Sequence, residues 1–369
     1  MNIQIIGAGI GGLALAATLA RLGIEFSIFE QSTGLRATGY GLTVQKNALQ
    51  ALDCIGLGKE LRQAGQMIRH GQIVTSGGSV LTELDAELCA IHRGALQAVL
   101  ASVVPESCFH FGERVESPAA DAWTVAADGV HSALRKHVAP TDTAVRDSGC
   151  TAWRGLVPPG VVSLTEEEKS LAIEAWGRGK RFGLVPLEGG QIYWFAVTRV
   201  DPFSPGDAAR MKTYLQDQFG EWLAPIGKLL QATPSEAILQ TRITDRLPLA
   251  SWHKDQLILL GDAAHPMTPN LGQGGCQAIE DGVVLGHLFA EVDAGRLSEA
   301  ELGNRFQTLR KARVDHVGAQ SYLMGRLANV RNPLLAFLRN QTIRWTPPRI
   351  QERSMDEILN FPGPLANWR

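Results

Sequence analysis

Apolar and polar residues follow different periods along the chain, and each period predicts a different element. Asn2–Ile6 is a mostly apolar run that predicts a short strand, and the Ala- and Leu-rich stretch Gly12–Leu22 predicts a helix directly after it. Glu25–Glu30 predicts a second strand. This order of strand, helix and strand predicts a βαβ unit at the start of the chain.

From about Cys150 the pattern changes to short stretches rich in aromatic and β-branched residues. Turn signals such as Glu188-Gly189-Gly190 separate them, which is typical of antiparallel strands. The predicted strands are Trp153–Val157, Leu171–Ala175, Arg181–Pro186 and Gln191–Arg199. An antiparallel sheet lobe is therefore predicted in this part of the chain.

The remaining periodic stretches predict helices and two more buried strands. The predicted helices are Leu42–Leu61, Arg93–Val104, His131–Val138, Ala208–Phe219, Trp222–Gln231, Gln277–Val292 and Ser298–Tyr322, followed by a basic helical stretch. The predicted strands are Trp123–Ala127 and Gln256–Leu260, the second of parallel type. The predicted fold class is α/β, with a Rossmann-like βαβ domain, an inserted antiparallel β-sheet lobe and a C-terminal helical region.

Composition narrows the class of protein. The 369 residues are 45% hydrophobic and 20% charged with a net charge of −2, so no electrostatic case exists for binding nucleic acid. No apolar run reaches the roughly 18 residues of a membrane helix, and no basic segment precedes the first apolar run. Five scattered cysteines without CxxC spacing predict reduced thiols in a cytoplasmic protein and no metal site.

A glycine-rich turn joins the first predicted strand to the first predicted helix. Gly7, Gly9 and Gly12 would let a pyrophosphate approach the backbone at the positive end of the helix. Glu30 ends the second strand, where a carboxylate would accept hydrogen bonds from a ribose. The alternative is a plain glycine-rich turn with a solvent-facing glutamate. The predicted dinucleotide contacts here are Gly7, Gly9, Ile10, Gly11, Gly12 and Glu30.

A second glycine-rich turn distinguishes FAD from NAD. Asp262 follows a predicted strand, where it would bind a ribityl hydroxyl, and the Gly274 and Gly275 amides would face an anionic reduced flavin at a helix N-terminus. His265 is an alternative base, although a histidine before proline in a turn is more often a capping residue. The two turns together predict one bound FAD.

Three motifs in this order resemble the fingerprints of class A FAD-dependent aromatic monooxygenases, a group that includes para-hydroxybenzoate and salicylate hydroxylases. They are the N-terminal glycine turn, Ala127-Asp128-Gly129 with Ser132 and Arg135, and the block that begins at Gly261-Asp262. The resemblance spans nearly the whole chain. It implies that FAD also contacts Gly41, Arg93, Asp128, Gly129, Asp262, Pro269, Gly272, Gly274 and Gly275.

Within this group the chain most resembles FAD-dependent urate hydroxylases. Gly179-Lys180-Arg181 and Gly190-Gln191-Ile192-Tyr193 match the stretches that carry the substrate-site arginine and tyrosine. Arg181 and Tyr193 are therefore the candidate catalytic residues, because an arginine can hold a carbonyl-rich ring and a phenol can donate to an oxyanion. The alternative is that this aromatic strand only fills the core, and the resemblance does not identify urate as the substrate.

The resemblance implies a domain organisation and a reaction. We expect an FAD-binding domain at residues 1–70, 90–150 and 250–320, a substrate-binding β-sheet lobe at 71–89 and 151–249, and a C-terminal helical segment at 321–369. The implied reaction hydroxylates a small aromatic or heteroaromatic ring with O₂ through a flavin C4a-hydroperoxide, and NADH or NADPH would bind transiently as the reductant. The sequence is compatible with a homodimer.

Two alternatives and two departures from the family pattern stay open. The chain could be an FAD-dependent reductase or oxidase acting on an isoprenoid or other apolar substrate, or a non-hydroxylating FAD-binding protein.

Between Arg114 and Asp128 the chain lacks the hairpin that is usual in the family, and Gln31 stands where a basic residue is usual. Both departures lie at the adenosine end, so we expect weaker FAD binding than in relatives.

Overall fold

The computed structural model describes residues 1–35, 39–141, 145–204 and 206–363. Residues 364–369, at the end of the predicted C-terminal helical segment, lie outside the described part. The elements form two sheets and a set of helices, which matches the predicted α/β class.

The first sheet has six strands and contains the predicted βαβ unit. Its order is β13-β14-β7-β1-β2-β6, and every neighbouring pair is parallel except β13 with β14. The strands are β1 (Ile3–Ile6), β2 (Ser27–Glu30), β6 (Phe109–Phe111), β7 (Trp123–Ala126), β13 (His253–Lys254) and β14 (Leu257–Leu259). The parallel pairing predicted for the strand before Gly261 is therefore confirmed.

The second sheet has eight strands in the order β12-β8-β11-β10-β9-β4-β5-β3. Its neighbours are antiparallel apart from β4 with β9, so the predicted antiparallel lobe is present with one parallel pair. The strands are β3 (Gly41–Gln45), β4 (Gln66–Thr75), β5 (Val80–His92), β8 (Arg146–Val157), β9 (Leu171–Trp176), β10 (Arg181–Pro186), β11 (Ile192–Thr198) and β12 (Leu239–Asp245). The predicted domain bounds stay a prediction.

Eleven α-helices lie within the described residues. They are α1 (Ile10–Leu22), α2 (Lys46–Cys54), α3 (Gly58–Ala64), α4 (Arg93–Ala101), α5 (Arg135–Val138), α6 (Ala208–Phe219), α7 (Ile226–Ala232), α8 (Gly274–Asp293), α9 (Glu299–Ala328), α10 (Pro333–Trp345) and α11 (Pro348–Leu359). None of the described helices is long and apolar enough to span a membrane.

The helix predicted at Leu42–Leu61 is wrong in its first turn and in its continuity. Residues 41–45 form β3, because they pair with β5 and this tertiary pairing outweighs local helix propensity. Gly56, with φ of +69°, then ends the helical run between α2 and α3.

The predicted hairpin loss is also visible in the fold. Residues 112–122, all of them described, connect β6 to β7 without a strand. Glu113, Arg114 and Val115 of this connection line the cleft above the glycine turn. The effect on FAD affinity remains a prediction.

Candidate active site

The N-terminal glycine turn requires glycine at two positions for packing. A methyl group on Gly7, where φ is +106°, would lie 2.5 Å from the carbonyl oxygen of Ala127. A methyl group on Gly12 would lie 2.0 Å from the carbonyl oxygen of Gly7. At Gly9 the nearest atom would be 3.9 Å away, so Gly9 faces open space in which a pyrophosphate can approach the backbone.

Glu30 holds the glycine turn to the end of β2. One carboxylate oxygen accepts from the backbone amide of Ala8 at 2.9 Å and the other accepts from Ser32 at 2.8 Å. Each carboxylate oxygen can accept a further hydrogen bond, so ribose binding and this structural role are compatible.

The N-termini of two helices converge at this end of the first sheet. A methyl group on Gly275, in the first turn of α8, would lie 3.6 Å from Cδ1 of Ile10 in the first turn of α1. Gly11 packs against Leu260, so the glycine turn contacts the strand that leads to the second turn. The positive ends of two helix dipoles therefore lie side by side, which favours an anion.

The second glycine-rich turn lies at the same end. A methyl group on Gly274 would lie 3.9 Å from a carboxylate oxygen of Asp262, and Pro269 begins the short 3₁₀ turn before Gly272. Gly272 has φ of +66°, and a methyl group there would lie 2.8 Å from Nε2 of Gln45. Burial raises the pKa of Asp262, although the charges of His265 and Arg93 oppose this.

The Asp128-Gly129 motif links both turns. The amide of Ala133 donates to one carboxylate oxygen of Asp128 at 2.9 Å. The guanidinium of Arg135 donates to the carbonyl oxygens of Ala263 and Ala264 at 2.6 and 2.8 Å. The motif that follows β7 is therefore fixed to the turn that follows β14.

A cleft of about 450 Å³ lies beside the N-terminal glycine turn and the Asp128-Gly129 motif, and residues of the second glycine-rich turn are not part of its wall. The second carboxylate oxygen of Asp128 and the amide oxygen of Gln97 are buried at its wall and have no hydrogen-bond partner within the described residues. Buried acceptors of this kind require donors such as hydroxyl groups. The open backbone at Gly9, the two helix ends and these acceptors fit the phosphates and hydroxyls of FAD. Other residues of the cleft wall are Gly7, Gly9, Glu30, Arg93 and Gly129.

His265 is neither a cap nor exposed to the cleft. Its Nε2 lies 2.6 Å from a carboxylate oxygen of Asp281, and its ring packs 4.8 Å from that of Trp252. Burial alone would raise the pKa of Asp281, but the charges of His265 and Arg310 lower it to about 2. His265 therefore belongs to a buried ion-pair cluster that supports α8.

Arg181 and Tyr193 lie on the same face of the second sheet, which we call the substrate face. Arg181 pairs with Val197 and Tyr193 pairs with Val185 across β10 and β11, and cross-strand partners share a face. Four residues of strand, about 13 Å, separate them along the sheet. Phe195 lies between them, with its ring centroid 6.3 Å from that of Tyr193 and 5.9 Å from the guanidinium of Arg181.

Tyr193 lies against Tyr40 and Gly41, and Gly41 is one of the residues predicted to contact FAD. A methyl group on Gly41 would lie 2.6 Å from Cγ of Tyr193, and the Tyr40 ring stacks on the Tyr193 ring at 6.2 Å. Burial raises the pKa of the Tyr193 phenol to about 12, although a hydrogen bond and the charge of Arg154 oppose this. The guanidinium of Arg154 also lies 5.0 Å from the Tyr40 ring centroid.

Arg181 is buried and already paired. It donates to Glu174 at 2.8 Å and to the side chain of Asn270, which lies in the 3₁₀ turn that begins at Pro269. The arginine thus joins the substrate face to the second glycine-rich turn. The sequence alone does not identify Arg154, Glu174 or Asn270. For Arg154 and Glu174 the available signal is a charged residue within an otherwise apolar predicted strand.

The aromatic residues of the lobe divide between the two faces of the sheet. Trp153, Phe182 and Trp194 are fully buried in the core that α6 and α7 cover on the opposite face. Alternation along β11 places Phe195 on the substrate face instead.

The chain matches known proteins over nearly its full length. The family described as FAD binding domain matches residues 1–104 and 112–321. An aurachin C monooxygenase/isomerase of Stigmatella aurantiaca is 37% identical over 93% of this chain and 94% of its own. The 2-heptyl-3-hydroxy-4(1H)-quinolone synthase of Pseudomonas aeruginosa is 31% identical over 99% of this chain and all of its own length.

A solved structure has the same fold. HpxO of Klebsiella pneumoniae, in complex with FAD and uric acid, superimposes with a TM-score of 0.87 at 25% identity over 99% of this chain and 98% of that one. The predicted resemblance to FAD-dependent aromatic monooxygenases is confirmed, and so are FAD as the cofactor and the α/β fold with an antiparallel lobe. The chain belongs to the FAD-binding family of flavoprotein monooxygenases.

Proposed function

We propose that this enzyme hydroxylates a neutral, planar nitrogen heterocycle of the 4-quinolone class, with O₂ and a nicotinamide as co-substrates. The observation that carries the proposal is the uninterrupted row of ring contacts from Tyr40 through Tyr193 to Phe195, beside Gly41. Stacked aromatic side chains favour a planar ring over a flexible substrate. The full-length similarity to a protein named as a quinolone synthase supports the same class.

The pairing of Arg181 favours a neutral ring over an anionic purine. An arginine that holds an anion must present free donors to it. Here Glu174 neutralises the charge of the guanidinium and Asn270 takes a second donor. Nε of Arg181 is buried and has no hydrogen-bond partner among the described residues, so a ligand would meet this donor on a group whose charge is already neutralised. This arrangement supports a role for Arg181 in fixing the pocket wall and gives less support to urate as the substrate.

The chain's own residues bind, orient and exclude water. The glycine turn and the N-termini of α1 and α8 would hold the FAD phosphates and the charged edge of the flavin, and Asp262 its ribityl hydroxyls. FAD supplies the oxygen-transfer chemistry when bound. The Tyr193 phenol stays protonated at neutral pH, so it can donate a hydrogen bond to a ring oxygen of the substrate.

The proposal also covers the reductant and the cellular location of the enzyme. A transient nicotinamide would have to approach the open side of the cleft, since the glycine turn is assigned to FAD. The five cysteines are free, which supports a reducing, cytoplasmic setting. A homodimer stays a prediction.

A substrate screen tests the proposal. Purified, flavin-loaded protein is mixed with NADH or NADPH and with 2-alkyl-4(1H)-quinolones, urate or salicylate, and product is analysed by mass spectrometry under isotope-labelled O₂. We expect quinolones to stimulate nicotinamide oxidation and to gain one labelled oxygen atom. Labelled product from urate alone would contradict the substrate class, and nicotinamide oxidation that yields only hydrogen peroxide with every ring would contradict hydroxylation.

A further inference from the structure

The helix α10 exposes its apolar side. Its large apolar residues Leu334, Leu335, Phe337, Leu338 and Trp345 are 48–76% exposed. The residues that face the protein include Ala336 and Arg339, which are 4% and 5% exposed. A helix on a globular protein ordinarily buries its apolar side, so this orientation needs an explanation.

Hydrogen bonds of Arg339 fix the helix in this orientation. Its guanidinium donates to the carbonyl oxygens of Ala328 at 2.8 Å and of Leu327 and Gly177 at 3.4 Å. Asn332 caps the first turn by accepting from the amides of Leu334 and Leu335. Rotating α10 to bury its leucines would break these bonds and expose the paired carbonyls.

The exposed apolar area continues on the neighbouring helices. Leu323 and Leu327 are 59% and 41% exposed and lie one turn apart near the end of α9. Ile350, at the start of α11, is 61% exposed. We call these three residues and the five exposed apolar residues of α10 the C-terminal apolar surface.

The chain segment that carries this surface has charges of one sign. Residues 316–351 contain five arginines and no aspartate or glutamate. Four of the arginines, Arg326, Arg331, Arg344 and Arg349, are exposed. The chain as a whole has a net charge of −2, and acidic residues begin again at Glu352 on α11, so the positive charge is confined to this segment.

We propose that the C-terminal apolar surface docks onto the surface of an anionic lipid bilayer. Leucine and phenylalanine side chains enter the acyl boundary, tryptophan sits at the headgroup level, and arginines pair with anionic headgroups. The 13 residues of α10 are about 20 Å long, shorter than a hydrocarbon core of about 30 Å, so the helix lies in the interface and does not span it. This proposal does not depend on the identity of the substrate.

Vesicle sedimentation tests the proposal. Full-length, flavin-loaded protein is mixed with vesicles of phosphatidylcholine alone or with added phosphatidylglycerol, and the pelleted fraction is read from flavin absorbance. We expect binding to the anionic vesicles. Leu334→Ser with Leu338→Ser should lower the partition coefficient at least about tenfold, since both leucines would insert. Leu239→Ser, at a leucine that is 46% exposed on β12, should bind like the wild type.

A second pair of substitutions tests the electrostatic contribution of the arginines to vesicle binding. Arg344→Gln with Arg349→Gln should remove the preference for anionic over neutral vesicles while leaving the flavin spectrum unchanged. Wild-type protein that stays in the supernatant with both vesicle types would overturn the proposal. A second result would also overturn it. If the wild type bound no vesicles and light scattering showed a dimer that the two leucine substitutions split, the surface would bind a second copy of the chain.

Discussion

Gly41 and Tyr193 lie in direct contact, with room for a hydrogen atom on Gly41 and no room for a methyl group. That methyl group would stand 2.6 Å from both Cβ and Cγ of the tyrosine. Gly41, a predicted FAD contact, begins β3, and Tyr193 lies on the substrate face. The two residues therefore join the predicted FAD contact to the predicted substrate residue.

Gly41→Ala should displace the Tyr193 ring. Overpacking of this kind lowers the free energy of unfolding by about 1–3 kcal/mol. We expect substrate affinity to fall as well, because the ring that would contact the substrate is displaced. Gly71→Ala is the control, because a methyl group there meets no atom within 4 Å. Substrate titrations followed by flavin absorbance measure the effect, and equal affinities for the two variants would mean that Tyr193 is not part of the pocket.

Gly9→Val should leave the protein folded without flavin. The space in front of Gly9 is open, so the side chain fills the volume assigned to the pyrophosphate. Gly12→Ala should instead impair folding, because its methyl group would lie 2.0 Å from the carbonyl oxygen of Gly7. Flavin content and circular dichroism distinguish these outcomes, and a yellow, fully loaded Gly9→Val protein would disprove the assignment of the glycine turn.

Tyr193→Phe should reduce turnover without changing the alkaline side of the pH profile. Because burial raises the phenol pKa to about 12, Tyr193 stays protonated throughout the range in which the enzyme can be assayed. We expect kcat to fall about tenfold, which corresponds to the loss of one hydrogen bond. A free tyrosine has a pKa of about 10. If wild-type kcat declined near pH 10 and Tyr193→Phe removed that decline, the wild-type phenol would be ionising there. That result would contradict its burial.

Arg181→Lys should keep the positive charge but lose the fixed hydrogen bonds to Glu174 and Asn270. A lysine cannot reach Glu174 and Asn270 with fixed donors, so the link between the substrate face and the second glycine-rich turn would loosen. We expect KM for the aromatic substrate to rise while the flavin spectrum stays the same. Steady-state kinetics measure the change, and an unchanged KM would leave Arg181 with a purely structural role.

Asp281→Asn should lower the free energy of unfolding by about 3–5 kcal/mol, because it leaves the buried Arg310 guanidinium short of a charge partner. Since the folded protein lowers the pKa of Asp281 to about 2, its contribution is present above the unfolded value of about 4 and is lost as pH falls through 2. In urea unfolding, the difference in free energy of unfolding between wild type and Asp281→Asn should therefore shrink as the pH falls from about 4 to about 2.

Asp315→Asn is the control for the buried carboxylate, since Asp315 pairs with Lys311 on the partly exposed side of α9. We expect its effect on the free energy of unfolding to stay within about 1 kcal/mol. Equal losses from Asp281→Asn and Asp315→Asn would show that the buried cluster does not stabilise α8.

The sequence predicts the parts of this fold that local patterns determine. The βαβ unit, the second glycine-rich turn and the strands β10 and β11 all follow from apolar periodicity and glycine spacing. Residues 41–45 could not be predicted as a strand, because their partners in β5 lie 43–51 positions further along the chain, outside any local window. Long-range pairing of this kind overrides local propensity.

The sequence predicts the strand positions of the candidate site residues but not their contacts. Arg181 and Tyr193 could be placed on adjacent strands, but their contacts come from Asn270 and Gly41, which belong to distant parts of the chain. The sorting of Trp153 and Phe195 to opposite faces required the register of β8, β10 and β11. Motif spacing alone does not contain that register.

In the proposed enzyme, the face around Tyr193 holds a planar heterocycle for FAD-dependent oxygenation. The most direct measurement is product analysis after turnover of a 2-alkyl-4(1H)-quinolone under isotope-labelled O₂, with wild-type and Gly41→Ala protein side by side. We predict one labelled oxygen atom per product molecule for the wild type, and hydrogen peroxide with little labelled product for Gly41→Ala. Flavin-loaded wild-type protein that consumes nicotinamide yet transfers no labelled oxygen to any aromatic ring would contradict the account.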